Sequence, residues 1–198
     1  MDDAGMRGIV NFLFEAGSLK NTPRSGWMKL GVRIPESVAD HSMRTALVGW
    51  VLADMEGADA DKVVKMCLVH DFAEARISDL NIVNIYYLGK NEGELKAEKD
   101  FVRSLPSGMR KEMGQLLDEW HAAKTKEARV AMDADKVEMF LQAHEYELQG
   151  YPKQALKEWK DNSDSLVKTK SGRKLMKLAG NTHYKEWWSF AKSGKKKR

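Results

Sequence analysis

Apolar residues recur at intervals of three and four along most of this 198-residue chain, and that spacing limits its fold more than any other feature. Alternation of β-branched residues, the mark of strands, is scarce, and only four prolines interrupt the pattern. The expected fold class is all-α. Ile9, Phe12, Leu13 and Ala16 mark a first helix near 6–17, and further helices are expected near 38–56 and 60–75. Asp59 or Asp61 can cap the last of these. The stretch "KNTPRSGWMKLGVRIPES" between the first two is rich in turn residues and reads as a loop. Residues 76–90 read as irregular. Helices near 92–104 and 107–121 flank a break at Pro106, and a long one over about 125–148 ends at Gly150. Shorter helices fill 152–161, 171–179 and 183–192, and no linker divides the chain.

Hydrophobic residues make up 42% and charged residues 31%, which supports a globular core and argues against disorder. No apolar run reaches the roughly 18 residues that a membrane-spanning helix needs. The first residues, "MDDAGMRG", are acidic where a secretory signal would be basic, and the single Cys67 cannot form an internal disulfide. A cytoplasmic protein without a membrane partner is expected. The last seven residues, "KSGKKKR", carry five positive charges, and taking these from the total of +4 leaves the body at −1. The basicity thus lies in a tail read as solvated and disordered. No basic motif interleaved with aromatics supports a specific nucleic-acid site.

Three of the expected helices carry charged or titratable groups on apolar stripes. Val63, Cys67, His70 and Glu74 are spaced by four, three and four, so His70 and Glu74 share the buried face of one helix. Asp71 lies about 100° round from His70 and reaches the same side. In the preceding helix His41 falls among Val38, Thr45, Val48 and Leu52, and in the long helix Asp135 falls among Met132, Met139 and Tyr146. Burying an ionised carboxylate without a partner is very costly, and a cation in the core resolves the conflict. Two imidazoles and two carboxylates brought together suit one divalent ion such as manganese, cobalt, iron, zinc or magnesium. A lone buried histidine is usually satisfied within a core; the joint pattern is what points to a metal. His121 follows Trp120 at a helix end, where charge–dipole contact explains it, and His144 and His183 have no carboxylate cluster at ligand spacing, so all three read as structural or surface residues.

The segments "VADHSMRTA", "LVHDFAEARISDL" and "MDADKVEMFLQAHEYE" set a His, then His-Asp, then a distant Asp on helices. In this order they resemble the HD-domain phosphohydrolases. Within that superfamily "TPRSGWMKLGV" and "LPSGMRKEMGQLLDEW" are most similar to the 5′-deoxynucleotidase branch. The resemblance covers roughly 6–150 and implies a single helical HD-domain bundle over 1–192, with C-terminal helices from 151 and a basic tail at 193–198. It implies that His41, His70, Asp71 and Asp135 are metal ligands. It implies catalytic roles for Glu74 and Asp79, and substrate-holding roles for Arg24 and Trp27 of the "PR-x-GW" loop. It also implies a homodimer. The chain departs from the branch at Ser78, where a glycine is usual, and in "LNIVN" after Asp79, where a proline is frequent. Adjacent glutamates of the branch are replaced by "GELKAEK", so that role is assigned to neither Glu94 nor Glu98.

The expected reaction is metal-dependent hydrolysis of the 5′-phosphate of a (deoxy)nucleoside monophosphate. The ion polarises a phosphoryl oxygen and acidifies water. Arg24 offers a fork to the phosphate. Glu74 orients the water, Asp79 protonates the leaving oxygen, and Trp27 packs on the sugar or base and favours deoxyribose. The alternatives are a nucleotide-binding or scaffold module on the same fold, or a phosphodiesterase or triphosphohydrolase.

Overall fold

A computed structural model of the chain describes residues 1–89 and 91–192. Its helices are α1 (Asp3–Gly17), α2 (Ser25–Lys29), α3 (Val38–Glu56), α4 (Ala60–Val69), α5 (Glu74–Ile77) and α6 (Ile82–Leu88). They continue with α7 (Asn91–Val102), α8 (Ser107–Ala122), α9 (Lys126–Leu148), α10 (Lys153–Leu166), α11 (Lys170–Ala179) and α12 (Ser189–Lys192). Among the described residues there is no strand, only an isolated bridge between Pro23 and Ser37. The chain is thus an all-α, single helical domain. The tail expected at 193–198 lies outside the described residues.

The two helices that frame the site have strong local signals. Ser37 and Asp40 cap α3 reciprocally, each side chain taking the other's amide, and Gly57 ends it in the left-handed conformation at φ 65°. Thr125 caps α9 through the Ala128 amide. α3, α4 and α9 then pack around Leu52, Val63, Met66, Cys67, Ala131 and Ala134. Small residues set the approach: a Cβ on Gly49 would lie 2.8 Å from Cys67 Sγ. Buried Asp133 accepts the Lys168 and Thr169 amides and so fastens the start of α11 to α9. A second cluster holds Trp27, Val32, Ala143, Tyr146 and Leu156, and a third holds Phe12, Phe101, Val102 and Leu105.

Three elements differ from the expectation. The stretch "KNTPRSGWMKLGVRIPES", read as a loop, contains the short helix α2. The helix expected over 60–75 stops at Val69, and His70 is its cap. The chain then turns tightly, with the Phe72 amide bonded to the Val69 carbonyl and the Glu74 amide to the Asp71 carbonyl. The His70 ring favours this break, since its Nδ1 lies 2.7 Å from the Cys67 carbonyl oxygen. His70, Asp71 and Glu74 are therefore gathered by a turn and not by one helical face. Within 76–90, read as irregular, α6 forms behind an Asn81 cap that accepts the Val83 and Asn84 amides. No helix among the described residues is long and apolar enough to cross a membrane.

Candidate metal and phosphate site

His41 enters from the first turn of α3, His70 and Asp71 from the turn after α4, and Asp135 from α9. His41 Nε2 is 3.2 Å from Asp135 Oδ1 and 3.7 Å from Asp71 Oδ2, and His70 Nε2 is 3.1 Å from Asp71 Oδ2. Both imidazoles are buried, and neither Nε2 atom has a hydrogen-bond partner. Each Nδ1 is held from behind, His41 at 2.5 Å from Glu138 Oε2 and His70 at 2.7 Å from the Cys67 carbonyl. That is the arrangement in which a histidine presents Nε2 to a metal while its other nitrogen is fixed by a carboxylate or carbonyl. The ligand atoms of His41, His70 and Asp71 lie within 4.8 Å of one another. The donor set, with its bare Nε2 atoms, fits a divalent ion.

The electrostatics make the same demand. Burial and Arg24 oppose a charge on His41, yet Glu138 and Asp135 outweigh them and push its pKa up to about 10. Without a cation, a proton meets the cluster's need for positive charge, and a metal held there would displace it. Burial opposes ionisation of Asp71 and Asp135 as well. Asp71 is nevertheless held below the usual carboxylate range by His70, Arg24 and His41, and Asp135 by Lys136, His41 and His70. Glu74 goes the other way: burial, and then Asp71, push its pKa well above the ordinary value.

A cavity of about 280 Å³ opens on this cluster. Asp71, Glu74, Asp79 and Asp135 line it, and so does Arg24. Arg24 Nη1 is 3.1 Å from Asp79 Oδ1, 3.3 Å from Asp71 Oδ2 and 4.0 Å from Glu74 Oε1. Asp79 Oδ2 also accepts the Ser25 amide at 2.6 Å, so the start of α2 is tied to the turn before α6. Ser78 holds that turn at φ 63°, a conformation that glycine adopts at less cost.

Trp27 is not part of the cavity lining. Its ring is 1% exposed, its Nε1 donates to Glu36 Oε1 at 2.9 Å, and it packs on Tyr146 and Trp159. Its position is that of an anchor fastening α2 to the second core cluster. The aromatic ring on the cavity wall is Trp159 of α10, beside Gly26. Sequence reasoning missed Trp159, Lys136, which pairs with Asp135 at 2.8 Å, and Glu138. Glu138 follows Asp135 by three, and that spacing was the one available signal. Of the two unassigned acids, Glu94 lines the cavity, whereas Glu98 is buried and pairs with His121 at 2.9 Å.

The chain is also similar to known proteins. The HD domain family profile matches residues 16–177. Human 5′-deoxynucleotidase HDDC2 is 38% identical over 144 residues, covering 72% of this chain and 70% of that protein. The Dictyostelium discoideum protein of the same name is 38% identical over 152 residues, covering 73% of this chain and 80% of its own length. A solved structure, a conserved hypothetical protein from Pyrococcus furiosus, superposes with a TM-score of 0.72 at 36% identity, covering 87% of this chain and 97% of that one. With its fold, its His and His-Asp turn and the profile match over most of its length, the chain belongs to the HD domain family.

Proposed function

We propose that the protein is a metal-dependent 5′-deoxynucleotidase, cleaving deoxynucleoside monophosphates to a nucleoside and inorganic phosphate. The observation that carries this reading is the pair of buried imidazoles whose Nε2 atoms both face Asp71, His41 facing Asp135 as well, where these two carboxylates line a cavity together with Arg24. Relatives with the name 5′-deoxynucleotidase, at 38% identity over most of the chain, support the substrate class.

In this reading His41, His70, Asp71 and Asp135 hold one divalent ion, which on binding supplies a Lewis acid for the phosphoryl oxygen and lowers the pKa of water. Arg24, held by Asp79, turns its guanidinium to the phosphate and fixes it. Glu74 Oε2, buried and without a partner, takes the proton of the attacking water. The new bond joins the water oxygen to phosphorus, and the bond to the 5′ oxygen breaks. With both oxygens engaged by Arg24 and Ser25, Asp79 suits the positioning of Arg24 better than proton donation, so the departing oxygen collects its proton from solvent. Lys136 adds a second cation to the cavity wall.

A homodimer and a cytoplasmic location complete the reading. Met43, Leu47, Trp50, Val51 and Met55 form an exposed apolar stripe on α3, a surface suited to self-association. The lone buried Cys67 suits a reducing compartment. The test is phosphate release by manganese- or cobalt-loaded protein from nucleoside mono-, di-, tri- and cyclic phosphates, with dAMP compared against AMP. Deoxynucleoside monophosphates are expected to be cleaved best, and Asp71→Ala to lose both metal and turnover. Full metal occupancy in that variant, or a preference for cyclic or triphosphate esters, overturns the reading.

A further inference from the structure

The cavity wall changes character along α9. Asp135 and Lys136 are charged, and Met139, one turn further on, is apolar. Ile82 and Ile85 of α6 and Trp159 of α10 continue this apolar lining. A phosphate and a metal have no use for such a surface; a flat organic group does.

Trp159 is held firmly. Behind it the Trp27 ring packs at a centroid distance of 4.5 Å, tilted by 37°. At its edge lies Gly26, where a Cβ would stand 2.4 Å from Trp159 Cη2 and 2.9 Å from Cζ2. No side chain fits at position 26 without moving the indole. α10 is itself pinned to α9 through Leu156, 1% exposed, and through the pair between Lys160 Nζ and Glu147 Oε2 at 2.9 Å. Arg24, at the N-cap of α2, and Gly26 and Trp27 within it thus divide the work. Arg24 faces the acid cluster, Gly26 leaves room for the indole, and Trp27 supports it from the core.

We propose that Trp159 is the stacking platform for the nucleobase, and that Trp27 acts on substrate only by positioning Trp159. This rests on the reading of the cavity as a nucleotide site and names the residue that recognises the nucleoside end. An indole fixed on two sides loses little freedom when a base stacks on it, which makes the contact favourable. Base–aromatic stacking corresponds to a change in affinity of about 5- to 150-fold.

The test pairs two ligands, dAMP and 2-deoxyribose 5-phosphate, which differ only in the base. Their binding is measured by calorimetry on chelator-treated protein, where no turnover competes. Wild type should hold dAMP at least about fivefold more tightly. Trp159→Leu, which keeps apolar volume but removes the flat ring, should close that gap by weakening dAMP alone. Trp159→Phe should retain most of it, and circular dichroism checks that both variants are folded. Equal affinities for the two ligands in wild type, or an unchanged gap in Trp159→Leu, overturns the proposal. Failure of the hydrolase reading shows separately, as no phosphate release by metal-loaded wild type from any ester. The gap and its loss in Trp159→Leu would then still establish the platform.

Discussion

The Nδ1 atom of His41 lies 2.5 Å from Oε2 of Glu138, and both side chains are fully buried. Glu138 stands three residues beyond Asp135 on α9, so one helix supplies both a carboxylate facing His41 Nε2 and the group behind the ring. Arg44 closes the arrangement from outside, its Nε donating to Glu138 Oε1 at 2.8 Å. The carboxylate fixes the ring orientation and makes Nε2 a better donor to a metal.

Glu138→Gln is therefore expected to lower affinity for manganese or cobalt by about 10- to 100-fold, the usual effect of removing such a partner. Titration calorimetry reads this directly. The rise in melting temperature on adding metal should shrink with it, because an ion that binds only the folded state stabilises in proportion to its affinity. Unchanged affinity would reduce Glu138 to a structural partner of Arg44.

Ser78 has φ 63° and ψ 167°, a region that residues with a Cβ occupy at a cost of about 1–3 kcal/mol. Glycine relieves that strain, while its greater freedom in the unfolded chain takes back about 0.5–1 kcal/mol. Strain is the larger effect. Ser78→Gly should stabilise the protein by about 1 kcal/mol, which is about 2–4 °C in melting temperature at this size. A lower melting temperature would show that the serine side chain contributes more than its backbone costs.

The elements that were legible in the sequence carry their own local signals. α3 begins at Val38 because Ser37 and Asp40 cap each other, and α9 begins beside Thr125; both stood in the sequence with an apolar stripe behind them. His41 and Asp135 were readable as anomalies on those stripes. What was not legible depends on distant partners or on a missing periodic face. The apolar pattern of α4 runs on past Val69, and nothing in the spacing registers that the His70 ring bonds back to the Cys67 carbonyl. α6 has no buried stripe, with Ile82, Tyr86, Tyr87 and Leu88 all at least 70% exposed, so it had no period to detect. An aromatic in a loop reads alike whether it faces a ligand or the core. Trp27 is buried because Tyr146 and Trp159, more than a hundred residues away, fold over it.

Gly49 lies inside α3, where alanine would gain about 1 kcal/mol of helix propensity. Its Cβ would meet Cys67 Sγ at 2.8 Å and Val63 Cγ1 at 3.0 Å, in a core where overpacking costs about 1–3 kcal/mol. Gly49→Ala should therefore destabilise by about 1 kcal/mol in urea denaturation, the clash exceeding the gain. Cys67→Ala removes the sulfur and makes room. The double variant should be more stable than the sum of the two single effects allows, by at least about 0.5 kcal/mol. Additive effects would mean that α3 and α4 separate slightly without touching at these atoms.

Glu74 is the residue on which chemistry and folding pull in opposite directions. Its Oε2 is buried without a partner, and burial together with Asp71 and Asp79 raises its pKa well above the ordinary 4.5. The metal-free fold thus binds the proton more strongly than the unfolded chain does. Its stability falls as pH rises from about 4.5 toward the raised value, and the penalty persists above it. Glu74→Gln removes the penalty, so metal-free variant should be more stable than wild type at pH 8 and equal to it at pH 4. Turnover should move the other way. In the proposed mechanism Glu74 takes the water proton, so its loss should lower kcat by about 10²-fold or more. Metal content and KM should stay within a few-fold of wild type, so that kcat and kcat/KM fall together, the pattern of an interaction made in the transition state. Steady-state kinetics with dAMP, elemental analysis and melting curves at the two pH values measure all three. Loss of metal in Glu74→Gln would make this residue a ligand, and an intact kcat would leave the water proton to another group.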